Sequence, residues 1–167
     1  MLSFDPIEEA RRNWDKHGWG AATAMVAATS ITRAHQILLG RINAALAAHG
    51  LTFSRFEVLA LVYFSRQGAL PMGKIGARLQ VHPTSVTSLV DRLAADGLVE
   101  RRPHPTDRRT TLVKLSEEGA RVVDRAAQDL AAIEFGLAEL DATTKHEIAS
   151  NIEILRRQAG DWNLDVS

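Results

Sequence analysis

Apolar residues recur every three or four positions along most of the chain, which is the period of amphipathic helices. The longest such segment covers residues 21–49, and Gly50 follows it as a stop signal. Its apolar face carries Ala27, Ile31, Ala34, Leu38, Ile42 and Ala45. A short polar helix over residues 6–17 is predicted before it.

Three shorter helices are predicted in the middle of the chain. The first starts near Thr52, with Thr52 or Ser54 as its cap and with Ser54 and Glu57 at capping-box spacing. Residues 67–71 are expected to form a loop. The other two helices, over 72–79 and from Pro83 to Gly97, are joined by a tight connection. Proline suits a first helical turn, since its missing N–H needs no partner there.

The apolar period changes to that of strands between residues 98 and 115. Two short strands, 99–102 and 110–115, flank a polar tip that contains two prolines, which predicts a β-hairpin. Ser116 is expected to cap a following long helix, and a last helix begins at Thr143. The apolar stripes of these two helices are Val123, Ala126, Leu130, Ile133 and Leu137, and then Ile148, Ile152 and Leu155.

This order predicts a mainly α protein with a small β-hairpin wing (α+β), a winged helix-turn-helix with long N- and C-terminal dimerisation helices. Residues 1–50 would hold an N-terminal extension and the first dimerisation helix, and 51–115 the DNA-binding part. Residues 116–167 would complete one intertwined domain. The apolar stripes of the long helices exceed what one small core can hide, so we expect a homodimer.

Composition narrows the class of protein. The 167 residues suit one domain, and the absence of cysteine excludes disulfides and thiolate metal sites. The apolar runs fall short of the roughly 18–20 residues that cross a bilayer, and no basic stretch precedes an apolar one at the start. We therefore expect a cytoplasmic protein.

The net charge is zero, but its distribution is uneven. Residues 66–114 hold nine bases and four acids, a balance of +5, whereas 115–167 hold five bases and eleven acids, a balance of −6. A basic middle is expected where one face meets the phosphates of double-stranded DNA.

The helix that begins at Pro83 has two distinct faces. Val86, Leu89, Val90 and Leu93 fall together and are predicted to face the core. The remaining face carries small hydroxyl side chains, which let a helix approach the bases of the major groove closely. The DNA contacts predicted on this helix are Thr84, Ser85, Thr87, Ser88, Asp91 and Arg92.

The predicted wing supplies further basic contacts. Arg108 and Arg109 lie on a tip stiffened by prolines and suit the narrow minor groove. Arg101 and Arg102 at the wing's base are phosphate-contact candidates, and strand alternation suggests that only one of them faces the DNA.

The segments 91–93, 97–99 and 106–110 (Asp-Arg-Leu, Gly-Leu-Val and Thr-Asp-Arg-Arg-Thr), followed by Leu112, Leu115 and Gly119, closely resemble the multiple-antibiotic-resistance regulator (MarR) family. The resemblance extends over roughly 21–119. It implies an obligate homodimer on a palindromic operator, usually a repressor, often released by an anionic phenolic ligand.

The chain departs from the family at His82, where members often carry Asp or Ser. Position 82 therefore supplies no acidic partner for Arg109. A second departure is an extension over 6–20.

A ligand site is predicted where the first long helix, the helix bearing Glu57 and the base of the wing meet. The candidate contacts are Trp14, Trp19, His35, Glu57 and Arg102, chosen as polar or aromatic groups near that junction. They could equally pair with one another, and the tryptophans could pack in the dimer.

No enzyme, cofactor or metal is predicted. The six histidines lack metal-ligand spacing, and no glycine-rich phosphate loop or nucleophile elbow occurs. The alternatives to a ligand-responsive repressor are an effector-independent DNA-binding or architectural protein, and a winged-helix scaffold for other proteins.

Overall fold

A computed structural model of the chain describes residues 2–66, 68–107 and 109–162. The elements in this part of the chain are α1 (Pro6–Lys16), α2 (Ala22–Leu46), α3 (Phe53–Tyr63), β1 (Ala69–Pro71), α4 (Met72–Leu79), α5 (Pro83–Ala95), β2 (Val99–Pro103), β3 (Thr111–Leu115), α6 (Glu117–Ala132) and α7 (Ala142–Gln158). Short 3-10 turns follow α2 and α6. This order confirms the predicted winged helix-turn-helix.

The longest helix, α2, ends as predicted. A 3-10 turn, Ala47–His49, leads into Gly50, whose left-handed φ of 66° reverses the chain. No single helix among the described residues is both long and apolar enough to cross a membrane. Only Ala22–His49 and α3 together meet those criteria, and a bend of 68° separates them.

The start of α3 differs from the predicted capping box. Thr52 holds the cap position, but its side chain makes no capping hydrogen bond. The N–H of Phe53 donates instead to Oδ1 of Asn43 on α2, at 2.8 Å. The capping role expected for Ser54 and Glu57 is therefore wrong, because an amide from a neighbouring helix satisfies a free N–H there.

The predicted hairpin is part of a three-stranded antiparallel sheet in the order β1-β3-β2. Val99 pairs with Leu115 at one end of the hairpin, and β1 joins through Leu70, opposite Val113. Both Leu70 and Val113 are buried. The loop predicted over 67–71 is thus wrong for 69–71, because three residues are too few to show a period of two. Gln67 lies outside the described residues.

One core joins the winged helix to α6. Its fully buried side chains include Leu46, Val58, Leu59, Val62, Ile75, Val86, Val90, Leu93, Val113 and Leu130. Val123 and Ala126 of α6 are buried with them. These residues of the α6 stripe therefore pack within the protomer, and the apolar surface left for a second copy lies on other helices.

The start of α6 is fixed against the residue that precedes β2. Ser116 caps α6 as predicted, since its Oγ accepts the N–H of Gly119 at 2.9 Å. The same Oγ lies 2.8 Å from the carbonyl oxygen of Gly97. A methyl group at Gly119 would overlap the carbonyl of Leu98, so this close approach requires glycine.

A long apolar groove of about 670 Å³ runs between α2 and α7. Its apolar lining is Ala27, Ile31, Ala34, Leu38, Ile148, Ile152 and Leu155. α7 buries none of its residues, and Ile148 and Leu155 remain 45% and 51% exposed. The protomer alone therefore leaves an apolar face of both helices uncovered.

Candidate nucleic-acid interface

The helices α4 and α5 pack closely across a short turn. The turn places Gln80 in the left-handed region, at φ 53°, and the N–H of Val81 donates to the carbonyl of Gly76 at 3.2 Å. A Cβ at Gly76 would lie only 3.2 Å from Cγ2 of Val86 on α5. Gly76 thus allows the close contact that holds α5 against α4.

Two histidines of this region act as local hydrogen-bond acceptors. Nδ1 of His82 accepts the N–H of Thr84 at 3.3 Å and so caps α5. Nδ1 of His104 in the wing accepts the N–H of Asp107 at 3.2 Å. A neutral His104 in this arrangement carries its proton on Nε2, which then acts as a donor. In the described part of the chain, no group of three or more His, Asp or Glu is arranged to hold a metal ion.

The two faces of α5 agree with the sequence pattern. Val86, Val90 and Leu93 are buried, and Leu89 is half-buried. The side chains on the remaining face are all exposed: Thr84, Ser85, Thr87, Ser88, Asp91 and Arg92. The hydroxyl of Thr87 donates to the carbonyl of Pro83 at 3.1 Å, which fixes its rotamer.

Arg101 and Arg102 lie on opposite sides of β2, as strand alternation predicts. Arg101 forms an ion pair with Asp91 on α5, and its Nη2 lies 3.9 Å from Sδ of Met72. Arg102 pairs instead with Glu100 on its own strand, at 2.6 Å. Two residues predicted as separate DNA contacts, Asp91 and Arg101, are therefore partners in the free protein.

The tip of the wing is organised around Asp107. Its carboxylate accepts the hydroxyl of Thr110 at 2.6 Å and the backbone N–H of Arg109 at 3.0 Å. These two hydrogen bonds, with the nearby His104, lower the pKa of Asp107 from its ordinary value. The Arg109 side chain is exposed and makes no ion pair with any described residue. Arg108 lies outside the described residues.

The N-terminal tryptophans pack against each other. The rings of Trp14 and Trp19 meet edge to face with centroids 5.0 Å apart, and the His17 ring lies 5.0 Å from Trp19. Nε1 of Trp14 donates to the carbonyl of Gly20 at 2.6 Å. The polar atom of Trp14 is thus bonded within its own segment.

The other predicted ligand residues lie in separate places. His35 lines the α2–α7 groove. Glu57 lines another groove, of about 490 Å³, between α3 and the start of α5, and burial raises the pKa of its carboxyl group. Arg102 is held by Glu100 on the wing. The described part of the protomer therefore does not bring the predicted ligand set into one cavity.

A further groove, of about 560 Å³, lies between α4, β1 and the wing. Its basic side chains are Arg66, Lys74, Arg78 and His104, and none of its described lining residues is acidic. From the sequence, Arg66, Lys74 and Arg78 were counted among the bases of the basic middle but none of them was placed in a site, and His104 was not counted. The spacing of Lys74 and Arg78 indicates that both lie on one side of α4, because residues four apart share a helix face. Only the fold brings Arg66 and His104 to them.

Comparison with known proteins relates this arrangement to characterised folds. Residues 49–110, which contain α3 through the wing tip, match the family model described as MarR family. The fold is similar to that of Sco5413, a MarR family transcriptional regulator from Streptomyces coelicolor, with a TM-score of 0.79. The two are 49% identical, and the match covers 86% of this chain and 99% of that chain.

Two similar structures were solved with bound molecules. A mutant MarR from E. coli, complexed with operator DNA, is 26% identical with a TM-score of 0.66, and the match covers 78% of this chain and 91% of that one. CouR from Rhodococcus jostii, bound to p-coumaroyl-CoA, is 25% identical with a TM-score of 0.64. That match covers 75% of this chain and 87% of CouR.

Proposed function

Since the chain belongs to the MarR family of transcriptional regulators, we propose that it represses transcription by binding a palindromic operator as a homodimer. One observation carries the proposal: the hydroxyl-lined face of α5 is exposed and includes Arg92, which has no acidic partner among the described residues. A helix face of this kind suits the major groove. The operator complex of the E. coli relative supports the same use of the fold.

On α5, the base contacts are Thr84, Ser85, Thr87, Ser88 and Arg92. The partial positive charge at the start of α5 also favours phosphates. The exposure of all five side chains supports this role. The capping of α5 by His82 keeps its first turn helical without adding a carboxylate, which would repel the DNA.

In the wing, Arg109 and Arg108 enter the minor groove, and Arg101 contacts phosphate beside Asp91. The hydrogen bonds that Asp107 accepts from the Arg109 N–H and from Thr110 support a preformed tip. A preformed tip loses less conformational entropy when it binds.

A second copy of the chain covers the α2–α7 groove. The exposed apolar side chains of Ile31, Ile148 and Leu155 support this assembly, because a monomer would leave them in water. Two-fold symmetry would place two copies of α5 about one DNA turn apart, roughly 34–36 Å, which is why the operator is expected to be palindromic.

An aromatic ligand releases the repressor from DNA. The p-coumaroyl-CoA complex of CouR supports an aromatic ligand, and the α2–α7 groove supports a place for it between the two copies, with His35 among apolar side chains. The other four predicted ligand contacts lie outside that groove: Trp14, Trp19, Glu57 and Arg102. Because the predicted contacts do not form one site, a regulator that needs no effector is the alternative. A ligand that prefers the DNA-incompetent form by about 1–3 kcal/mol lowers operator affinity roughly 5- to 150-fold.

The test is footprinting of genomic fragments selected by the purified protein. A protected palindrome is expected, and a scaffold for other proteins would protect none. Small aromatic acids are then titrated and followed by tryptophan fluorescence, with and without the selected operator. Saturable quenching that the operator weakens supports ligand release, whereas quenching that the operator does not affect contradicts it. As a regulator of transcription, the protein is expected in the cytoplasm.

A further inference from the structure

We propose that the groove between α4, β1 and the wing binds a phosphate group, through Arg66, Lys74, Arg78 and His104. For DNA as the source of the phosphate, this inference rests on the proposed function. The groove is separate from the exposed face of α5, since its lining comes from the segment after α3, from β1 and α4, and from the wing. None of its residues is among the predicted DNA contacts.

The donors come from three elements and converge on one space. Lys74 and Arg78 extend from successive turns of α4, Arg66 follows the end of α3, and His104 belongs to the wing. A guanidinium presents paired N–H groups that match two oxygens of a phosphate, and an ammonium adds a compact positive charge. Nδ1 of His104 is used as an acceptor, so its Nε2–H remains as a donor.

The charge of this groove is uncompensated. Within the described part of the chain, Arg66, Lys74 and Arg78 form no ion pair, whereas Arg101 and Arg102 nearby are each paired with an acid. Cations gathered in one groove repel one another, and an anion between them removes that repulsion. Phosphate fits better than a single carboxylate, because several donors are available and phosphate offers more acceptor oxygens.

Two sources of phosphate have the same chemistry. The first is the DNA backbone beside the operator, because the wing loop that carries His104 and Pro105 also presents Arg109. The second is a free phosphorylated compound. The two sources differ in one measurable way, since only DNA contacts contribute to the salt dependence of DNA binding.

The first arm of the test uses the double variant Lys74→Gln/Arg78→Gln of the full chain. Its matched control, Lys16→Gln/Arg12→Gln, removes the same charges from exposed positions of α1. Affinity for a labelled 40-base-pair random duplex is measured across about 50–200 mM salt. If the groove holds two DNA phosphates, the slope of log K against log salt falls by about two in the groove variant. Affinity then falls by about tenfold or more, and the control keeps the wild-type slope.

The second arm titrates sodium pyrophosphate into the DNA-free protein and follows backbone amide shifts. Saturable shifts in 69–78 that vanish in the groove variant, with an unchanged DNA slope, identify a free phosphorylated compound as the ligand. A groove variant equal to the control in both arms overturns the proposal. If the wild-type protein binds no DNA, the proposed function is refuted instead. The pyrophosphate titration alone then shows whether the groove binds phosphate.

Discussion

Asp91 on α5 and Arg101 on β2 form an ion pair that joins the recognition helix to the wing. The two side chains are 52% and 40% exposed, so the pair adds at most about 1 kcal/mol to stability. Its larger effect concerns charge. An acid on the face proposed to meet DNA neutralises an arginine proposed to contact phosphate, which lowers the attraction of this face for DNA of any sequence.

The first prediction tests this relationship with Asp91→Asn. The change removes a negative charge from the DNA-facing surface and frees Arg101. We expect random-sequence DNA to bind several-fold more tightly, with a salt dependence steeper by about one phosphate contact. Fluorescence anisotropy on a random duplex at several salt concentrations measures both quantities.

The control for this change is Asp124→Asn, at an exposed acid on α6 whose carboxylate accepts a hydrogen bond from Gln128. It makes the same change in net charge on α6, outside α5 and the wing. Equal tightening by both variants would show that net charge alone is responsible and that the Asp91–Arg101 pair has no special role.

The second prediction concerns base readout by α5. Ser88→Ala and Arg92→Gln should each reduce the preference for the operator over a scrambled duplex by about 1–3 kcal/mol, since each removes a proposed base contact. Arg101→Gln should weaken both duplexes about equally, because it removes a phosphate contact. Competition binding gives the preference, with Gln128→Ala on α6 as the control. Unchanged preference in both α5 variants would mean that another face reads the bases.

The helices were predictable from the sequence because each segment carries a clear apolar period and a strong stop or start signal. Pro83 is the first residue of α5, and Gly50 ends the 3-10 turn that continues α2. β1 could not be found, because three residues have no measurable period and Leu70 gains its burial only from pairing with β3. The cap of α3 was missed for a similar reason, since Asn43 lies ten residues away on another helix.

The candidate DNA-binding site was also predictable from the sequence only in part. The exposed face of α5 follows from helical geometry alone, so its residues were predictable. The pairing of Asp91 with Arg101 joins two elements through tertiary contact, and no pattern in the sequence signals it. The predicted ligand contacts were chosen because the first long helix, the helix bearing Glu57 and the base of the wing were expected to meet. Chain position does not specify which groove a side chain lines, and the fold places His35 and Glu57 in different ones.

The third prediction concerns the pH dependence of the wing tip. Hydrogen bonds from Thr110 and from the Arg109 N–H hold the pKa of Asp107 below its ordinary value of 3.8. A carboxyl group whose pKa is lowered by folding stabilises the fold above its ordinary pKa, and this contribution is lost as the pH falls through the lower value. The contribution of Asp107 to the order of the tip should therefore be complete above about pH 4 and be lost below it.

Amide chemical shifts of Arg109 and Thr110 across this pH range measure the transition. Asp107→Asn provides the control, because an amide does not titrate. The same acid transition at both amides in the variant would show that a group other than Asp107 is responsible.

The fourth prediction concerns the contact between α6 and the residue before β2. Gly119→Ala places a methyl group against the carbonyl of Leu98, so the backbone must shift. We expect a loss of about 1–3 kcal/mol in the free energy of unfolding. Gly73→Ala on α4 is the matched control, since a Cβ there meets nothing within 4 Å and alanine favours a helix by up to about 1 kcal/mol. In urea unfolding, the free energy of unfolding should fall for Gly119→Ala and rise for Gly73→Ala. A Gly119→Ala variant that is more stable than the wild type would contradict the close approach of α6 to Leu98.

The last prediction concerns assembly through the α2–α7 groove. Ile148→Glu/Leu155→Glu introduces two charges into the apolar face that a second copy is proposed to cover, and a buried unpaired carboxylate is strongly unfavourable. Both side chains are about half exposed in the protomer, so the protomer should still fold while the dimer dissociates at micromolar concentration. Sedimentation measures the mass, and Tyr63→Glu provides the control, because Tyr63 is a 47% exposed aromatic residue outside this groove. Loss of the dimer should also abolish protection of the second operator half-site, since each protomer carries a single α5. A double variant that remains dimeric would show that another surface joins the two copies.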